Sequence, residues 1–437
     1  MRRRTKNGSL FLLAAVECLL VLLRPGASWA AEPNQGLKGR LFVGYQGWFA
    51  CPGDYQGNTR QWSHWFLNNA QDADHLTVDF LPSLRLMDPK DLCETTLQRP
   101  DGTRVPLYSA QNPHVVATHF KWMEDHGIDG AAMQRFVANL PNRNEVRRFD
   151  HVLQNALAAA ESHGRGLFIT YDVSGANPQT VVNDVRRDWK HLVEDSKITD
   201  SPAYVRAKTK PVLELWGFGF ATRPGEAAEV LALIRDLKDG AAGLRAVTLI
   251  GGVPTNWRDL TKDSKSDPAW AQVYRSYDVI SPWAVGRFTD DAGADSFLKT
   301  YVLPDMAETA RLGIDYMPVI FAGFSASNRE RAHGRQGILN QIPRRCGNFM
   351  WHQVWNLLRS HADMLFAAMF DEVDEGTALL PVETRGDKLP VGSQMAYLNQ
   401  DGCSLPDDWY LRVTGAAAGF VRRGQVPPPD LRAVIGP

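Results

Sequence analysis

The sequence predicts an α/β protein, a (β/α)8 TIM barrel with a long insertion after its first strand. Short apolar runs alternate with amphipathic stretches along the chain, two successive helices end on the same His-Gly pair before a strand, and polar and aromatic clusters fall directly after the apolar runs. Eight strand–helix units in series specify a closed barrel whose working residues lie at the carboxyl ends of its strands. A doubly wound open sheet is the competing topology, but no GxGxxG follows the first strand.

Residues 1–30 read as an export signal: Arg2, Arg3, Arg4 and Lys6 precede the apolar run Leu10–Leu23, and Ser28-Trp29-Ala30 is a small-x-small cleavage site. That run falls short of the roughly 20 residues a spanning helix needs. The chain is therefore expected to be secreted or periplasmic and free of the membrane once cleaved. The remaining 407 residues (437 minus 30) are expected to form one catalytic domain, 31–437.

The strands are predicted at Leu41–Tyr45, Gly130–Phe136, Gly166–Tyr171, Pro211–Trp216, Ala246–Ile250, Val279–Ser281, Tyr316–Phe321 and Leu365–Phe370. Each is a short run rich in β-branched, aromatic or small apolar residues. Helices are predicted at Val115–Asp125, Val146–Ser162, Thr180–Glu194, Glu226–Leu237, Ala269–Tyr274 and Asp295–Leu312, then over 334–361 with a break near Pro343, and at Trp409–Arg422. Gly127 and Gly164 stop the first two. The insertion, 50–113, carries Trp62, His64, Trp65, a strand-like Leu76–Leu81 and the turn Pro100-Asp101-Gly102. Insertions of that length beside a strand end are usually functional.

A net charge of -1 provides no one-signed field, which argues against nucleic acid or an anionic membrane as partner. Of five cysteines, Cys18 lies in the signal, and Cys51, Cys93, Cys346 and Cys403 allow three pairings in an oxidising compartment. No CxxC, Cys/His cluster or HExxH is present, so neither a metal nor a cofactor is expected.

Thirteen tryptophans are the more informative count, because indole faces stack on the C–H faces of sugars. Trp48, Trp62, Trp65, Trp216, Trp257 and Trp283 are candidates to line the barrel mouth. Tyr45, Gln46, His64, Gln134, Arg135, Tyr171, Asp172 and Glu214 lie at or near strand ends as candidate partners for sugar hydroxyls. The expected partner is an oligo- or polysaccharide.

The last predicted strand runs straight into Asp371, Glu372, Asp374 and Glu375, then Gly376 and Thr377. Carboxylates beside a low-dielectric core must be paired, hydrogen-bonded or protonated. Alone, such a run reads as a solvated acidic loop; at the end of the eighth strand it reads as acid/base machinery. Glycosidic cleavage takes two carboxyl groups, one delivering a proton and one acting near the anomeric carbon. Glu372 and Glu375, three apart, can both face the axis, leaving Asp371 and Asp374 to support them.

The segments VGYQGWFACPGD (43–54), WSHWF (62–66), MQRF (133–136), YDVSG (171–175), GGVPTNW (251–257), ISPWAVGRF (280–288), NQIPRRCGNFMW (340–351), MFDEVDEGTA (369–378) and NQDGCSLPDDWYLR (399–412) resemble the bacterial glycoside hydrolase family 71/99-like proteins. That group is distantly similar to glycoside hydrolase family 99, whose endo-α-mannosidases and endo-α-mannanases are (β/α)8 barrels. The resemblance implies that Glu372 acts as a base on the sugar 2-hydroxyl, giving a 1,2-anhydro intermediate with retention. Glu375 is then the general acid and afterwards the base that activates water. The family pattern is Asn-Glu-Trp-x-Glu-Gly-Thr; here Asp371 replaces the Asn and Val373 the Trp, which leaves the sugar open among α-mannosides, α-glucans, α-xylosides and arabinosides. A non-catalytic glycan-binding barrel is the alternative function.

Overall fold

The computed structural model describes residues 36–54 and 61–436. The signal segment expected at 1–30 lies outside the described residues.

The staves of the sheet are β1 (Arg40–Tyr45), β2 (Gly130–Phe136), β3 (Gly166–Asp172), β4 (Lys210–Trp216), β5 (Thr248–Val253), β6 (Val279–Pro282), β7 in two pieces (Asp315–Tyr316 and Val319–Phe321) and β8 (Met364–Ala368). All pair in parallel with their sequence neighbours, and β1 pairs with β8 in the register Arg40↔Met364 to Val43↔Ala367. The predicted barrel is the observed fold. One stave departs from expectation: Tyr316–Phe321 is interrupted at Met317-Pro318. Its first piece bonds β6 and its second bonds β8, because Pro318 has no N–H to continue the ladder.

Helices cover the outside. α1 (Pro113–Asp125) starts on Asn112, whose side chain accepts from the His114 N–H, and α2 (Arg143–Ser162) starts likewise on Asn142 and Asn144. Gly127 and Gly164, at φ +69° and +59°, end them in the left-handed region. α3 (Val181–Glu194), α4 (Ala227–Asp239) and α5 (Ala269–Tyr274) follow. α6 (Asp291–Phe297) runs through a π turn, Leu298–Val302, into α7 (Leu303–Leu312).

The predicted helical region 334–361 is corrected. A short α8 (Ser327–Ala332) precedes a loop with Gly334, Gly337 and Pro343, and only α9 (Asn348–Arg359) is helical within that region apart from a single 3-10 turn, Arg345–Gly347. α10 (Trp409–Arg423) packs over β1 and β8, and α11 (Arg432–Ile435) ends the described chain. The expected strand at Leu76–Leu81 is reduced to single bridges, Phe66↔Leu76 and Phe80↔Ala396. The cysteines pair as Cys51–Cys93 within the insertion and Cys346–Cys403 between the α9 approach and the α10 approach.

Successive strand residues point to opposite faces. Phe42 meets Phe168 edge to face at 5.3 Å, which fixes the even-numbered residues of β1 and β3 as axial. Gly44 is axial too, since a Cβ there would fall 2.2 Å from the Met369 sulfur.

Candidate active site

That alternation sorts the strand-end candidates. Gln46, Gln134, Asp172, Glu214 and Trp216 share the axial parity. Tyr45, Arg135 and Tyr171 have the opposite parity and are corrected to structural roles under the helices. Tyr45 Oη hydrogen-bonds His119 Nδ1 at 2.9 Å, and burial pushes that histidine down to about 3, so it is neutral. Arg135 donates to Asp188 and Asp150, at 2.7 Å each through Nη2, and Tyr171 Oη donates to Asp188 at 2.7 Å.

The tryptophans also divide. Trp65 and Trp257 are 0 % exposed and belong to the core, the first donating to the Tyr108 carbonyl at 3.0 Å, the second lying under Arg275. Trp62 is buried edge-on against Phe66. Half-buried Trp48 is stacked between His64 (4.0 Å, 7°) and Phe136 (5.1 Å, 22°). Trp216 and Trp283, both half-buried, meet at 5.2 Å and 76°.

Beyond β8 the four acids separate by partner. Asp371, 1 % exposed, accepts the backbone N–H groups of Gln46 (2.7 Å) and Gly47 (2.8 Å). Burial pushes it up to about 7 in spite of those donors. It therefore ties the acid loop to the end of β1. Glu372 accepts from Gln46 Nε2 at 2.7 Å on one oxygen and from Thr377 Oγ1 at 2.7 Å on the other. Asp374 Oδ2 lies 3.7 Å from His64 Nδ1. Glu375 is the most open, its side chain 24 % exposed, and Arg329 Nη1 donates to its Oε1.

Burial raises the Glu372 carboxyl well above the usual carboxylate range, and repulsion from Glu375 and Asp374 adds to it. Burial raises Glu375 as well, with Arg329 opposing. Two more acids face them. Asp172 accepts the Ser174 N–H at 2.7 Å, and burial raises it. Glu214, bonded by Thr170 Oγ1 at 2.8 Å, is pushed up to about 7 by burial, with Asp172 adding to the rise.

The loop is held in shape from behind. The Val373 carbonyl accepts the N–H groups of Asp79 (3.0 Å) and Phe80 (3.2 Å), so the insertion clamps the middle of the acid run. Gly376, at φ +65°, has no room for a Cβ, which would lie 2.8 Å from Ser325. Buried Arg344, sandwiched between Phe80 (4.3 Å) and Tyr410 (4.6 Å), donates to the carbonyls of Gly376 and Ala378.

Arg329, Arg344, Thr377 and Asp79 were not among the sequence candidates. Arg329 follows the end of β7, so the strand-end rule that selected the others could have reached it. Thr377 closes the Glu-Gly-Thr pattern at 375–377, so the motif could have reached it, whereas Arg344 and Asp79 carry no local signal. Among the described residues, no group of three or more His, Cys, Asp or Glu side chains is arranged to hold a metal ion.

No family model and no curated protein matches the sequence. Among solved structures, the GH99 endo-α-mannosidase from Bacteroides thetaiotaomicron in complex with BIS-TRIS-propane superposes with a TM-score of 0.63 at 15 % identity, covering 89 % of this chain and 98 % of that one. A second structure of that enzyme gives 0.63 at 14 % identity, covering 90 % and 100 %. The fold is GH99-like. A glycoside hydrolase-like protein superposes at 0.50 with 13 % identity, covering 81 % of this chain and 98 % of that one. At these identities the GH99-like assignment concerns architecture, and the chemistry is argued from the residues above.

Proposed function

We propose that this protein is an exported glycoside hydrolase that cleaves α-linked glycans, with Glu372 and Glu375 as its two working carboxyl groups. The observation that carries this is the pair itself: a buried Glu372 and a part-exposed Glu375, both with raised proton affinity, Glu372 in part through repulsion from Glu375, directly after the last strand of a barrel. Such a pair cannot ionise together, so one member is an acid while the other is a base. Under the retaining route, Glu372 removes the proton of the sugar 2-hydroxyl, whose oxygen attacks the anomeric carbon, and Glu375 protonates the departing oxygen. Glu375 then takes a proton from water as the 1,2-anhydro ring opens, and the ring oxygen regains its proton from Glu372. Gln46 and Thr377 hold Glu372 in place through this cycle.

Several buried polar atoms near the strand ends lack a partner among the described residues, including Trp48 Nε1, Trp216 Nε1, Gln46 Oε1 and Gln134 Oε1. Sugar hydroxyls satisfy such atoms, which supports a glycan ligand. The two disulfides support an oxidising destination, secreted or periplasmic.

The test is a panel of α-mannans, α-glucans, α-xylosides and arabinosides, with new reducing ends as readout. On the glycan that is cleaved, Glu372→Gln and Glu375→Gln should each cost about 10²–10⁴ in rate. Rates within about threefold of wild type in both variants would exclude the pair as the machinery. Binding with no cleavage by the wild type would favour a glycan-binding barrel.

A further inference from the structure

A general acid must hold its proton when the substrate arrives, and a general base must lack one. The structure has the reverse arrangement. Glu375, the acid of the proposed reaction, carries Arg329 on Oε1, whereas Glu372, the base, is held by the neutral groups of Gln46 and Thr377.

We propose that Arg329 is a positioning residue that allocates the single proton of the Glu372/Glu375 pair. Seated on Glu375, it keeps that carboxylate ionised and leaves the proton on Glu372; displaced by an arriving glycan, it lets the proton pass to Glu375. The O–H bond of Glu372 breaks, that of Glu375 forms, and the negative charge moves the other way, so no outside acid or base is needed. This rests on the roles given to the two glutamates above.

The geometry provides for the displacement. Arg329 Nη2 already lies 3.6 Å from Glu330 Oε1, a second seat on the same helix. That seat is shared with Arg335, whose Nε and Nη2 both donate to Glu330, so the arriving glycan must supply part of the energy that draws Arg329 off Glu375. The Arg329 side chain is 32 % exposed and within reach of a ligand. Its backbone, by contrast, is pinned: Asp79 accepts the N–H groups of Ser327 and Asn328 at 2.7 Å each, and Asn328 Nδ2 donates to the Val78 carbonyl at 2.8 Å. The side chain can swing while α8 stays.

The surrounding charges agree. Glu375 is faced by Arg329 from α8, by Asp374 and Glu372 from its own loop, and by Asp172 from β3. Arg329 is faced by Glu375, Asp374, Glu372 and Glu330, and by the cation Arg335, which shares Glu330. Arg329 is the nearby cation that opposes the rise of both glutamates, and it bonds only Glu375. Once it leaves, Glu375 loses the cation that opposes its protonation, and Asp374, Glu372 and Asp172 all draw a proton toward it.

Carbon-13 NMR titration of carboxyl-labelled glutamate in the full chain follows both groups without substrate, with Glu372→Gln and Glu375→Gln assigning the signals. Glu375 should titrate below Glu372 in the wild type. Arg329→Met should raise the Glu375 midpoint by about one to three pH units and reverse the order, while Arg329→Lys keeps it. Arg329→Gln serves the same comparison if the Met variant fails to fold.

A Glu375 midpoint that moves by less than about a third of a unit, or a wild type in which Glu372 titrates first, would overturn the proposal. On a cleaved glycan, the alkaline limb of kcat/KM should follow the higher of the two midpoints, that of Glu372 in the wild type and that of Glu375 in Arg329→Met, and a limb that follows neither overturns it too. If the wild type cleaves no glycan, the hydrolase reading fails by itself and the titration order still decides where the proton rests.

Discussion

Two buried charge clusters lie on opposite faces of the same barrel wall. On the helix side, Arg135 is matched by Asp188 and Asp150, and the Tyr171 hydroxyl and His191 complete the set. At the mouth, Asp371, Glu372, Asp374, Glu375, Asp172 and Glu214 have Arg329 as their one hydrogen-bonded cation among the described side chains. The first cluster sets Arg135 and His191 against Asp188 and Asp150, each carboxylate bonded by more than one donor group, so removing Arg135 leaves a partner stranded. The second holds an excess of acid that costs stability, and excess of that kind is what proton transfer draws on.

The sharpest way to break the comparison is to neutralise one member of each. Glu375→Gln should lower glycan cleavage by about 10²–10⁴ and leave stability at pH 7 unchanged or higher, since it relieves repulsion. Arg135→Met should instead destabilise by about 3–5 kcal/mol, because it leaves Asp188 buried without its cation. Urea unfolding followed by fluorescence measures both. Equal stability losses would erase the distinction.

The next effect is on pH dependence. Glu214 and Asp371 are both pushed up to about 7 by burial, so the folded protein binds protons that the unfolded chain releases near pH 4. A raised folded value means that the stabilisation is complete below the unfolded pKa and is lost as pH rises through the folded one. The Tm should fall between about pH 4.5 and 7.5, and Glu214→Gln should flatten the slope by about one proton. A Tm that climbs across that window would show that these acids are ionised in the fold.

A smaller effect is expected at the positioning turn. Thr377→Val removes one of the two donors on Glu372 and should lower kcat about tenfold with KM little changed, measured on the glycan identified above. Smallest of all is Trp283→Ala, which removes one half-buried ring from the Trp216 pair and should raise KM several-fold with kcat nearly unchanged.

The barrel was legible because its signal is repeated along the chain and each repeat is local. Within the site, the acid run of β8 and the axial residues Gln46, Gln134, Asp172 and Glu214 were legible from position alone. Tyr45, Arg135 and Tyr171 were misplaced for a specific reason: neighbours in a strand face opposite ways, and a parity must be anchored by one known contact before it sorts anything. Phe42 against Phe168 supplies that anchor only in three dimensions. Arg344 and Asp79 stayed hidden because neither lies at a strand end, whereas Arg329, just beyond the end of β7, was within reach of that rule.

The pairing of β1 with β8 has a further consequence, for the birth of the protein. Asp371 and the Gln46 N–H it receives are 325 residues apart, and the barrel has no closed wall until both ends of that span are present. A chain emerging from the ribosome therefore carries its first seven staves as an unclosed sheet until the last stave, Met364–Ala368, and the acids after it are made. Whatever the carboxyl pair does, it can begin only when the last stave has arrived.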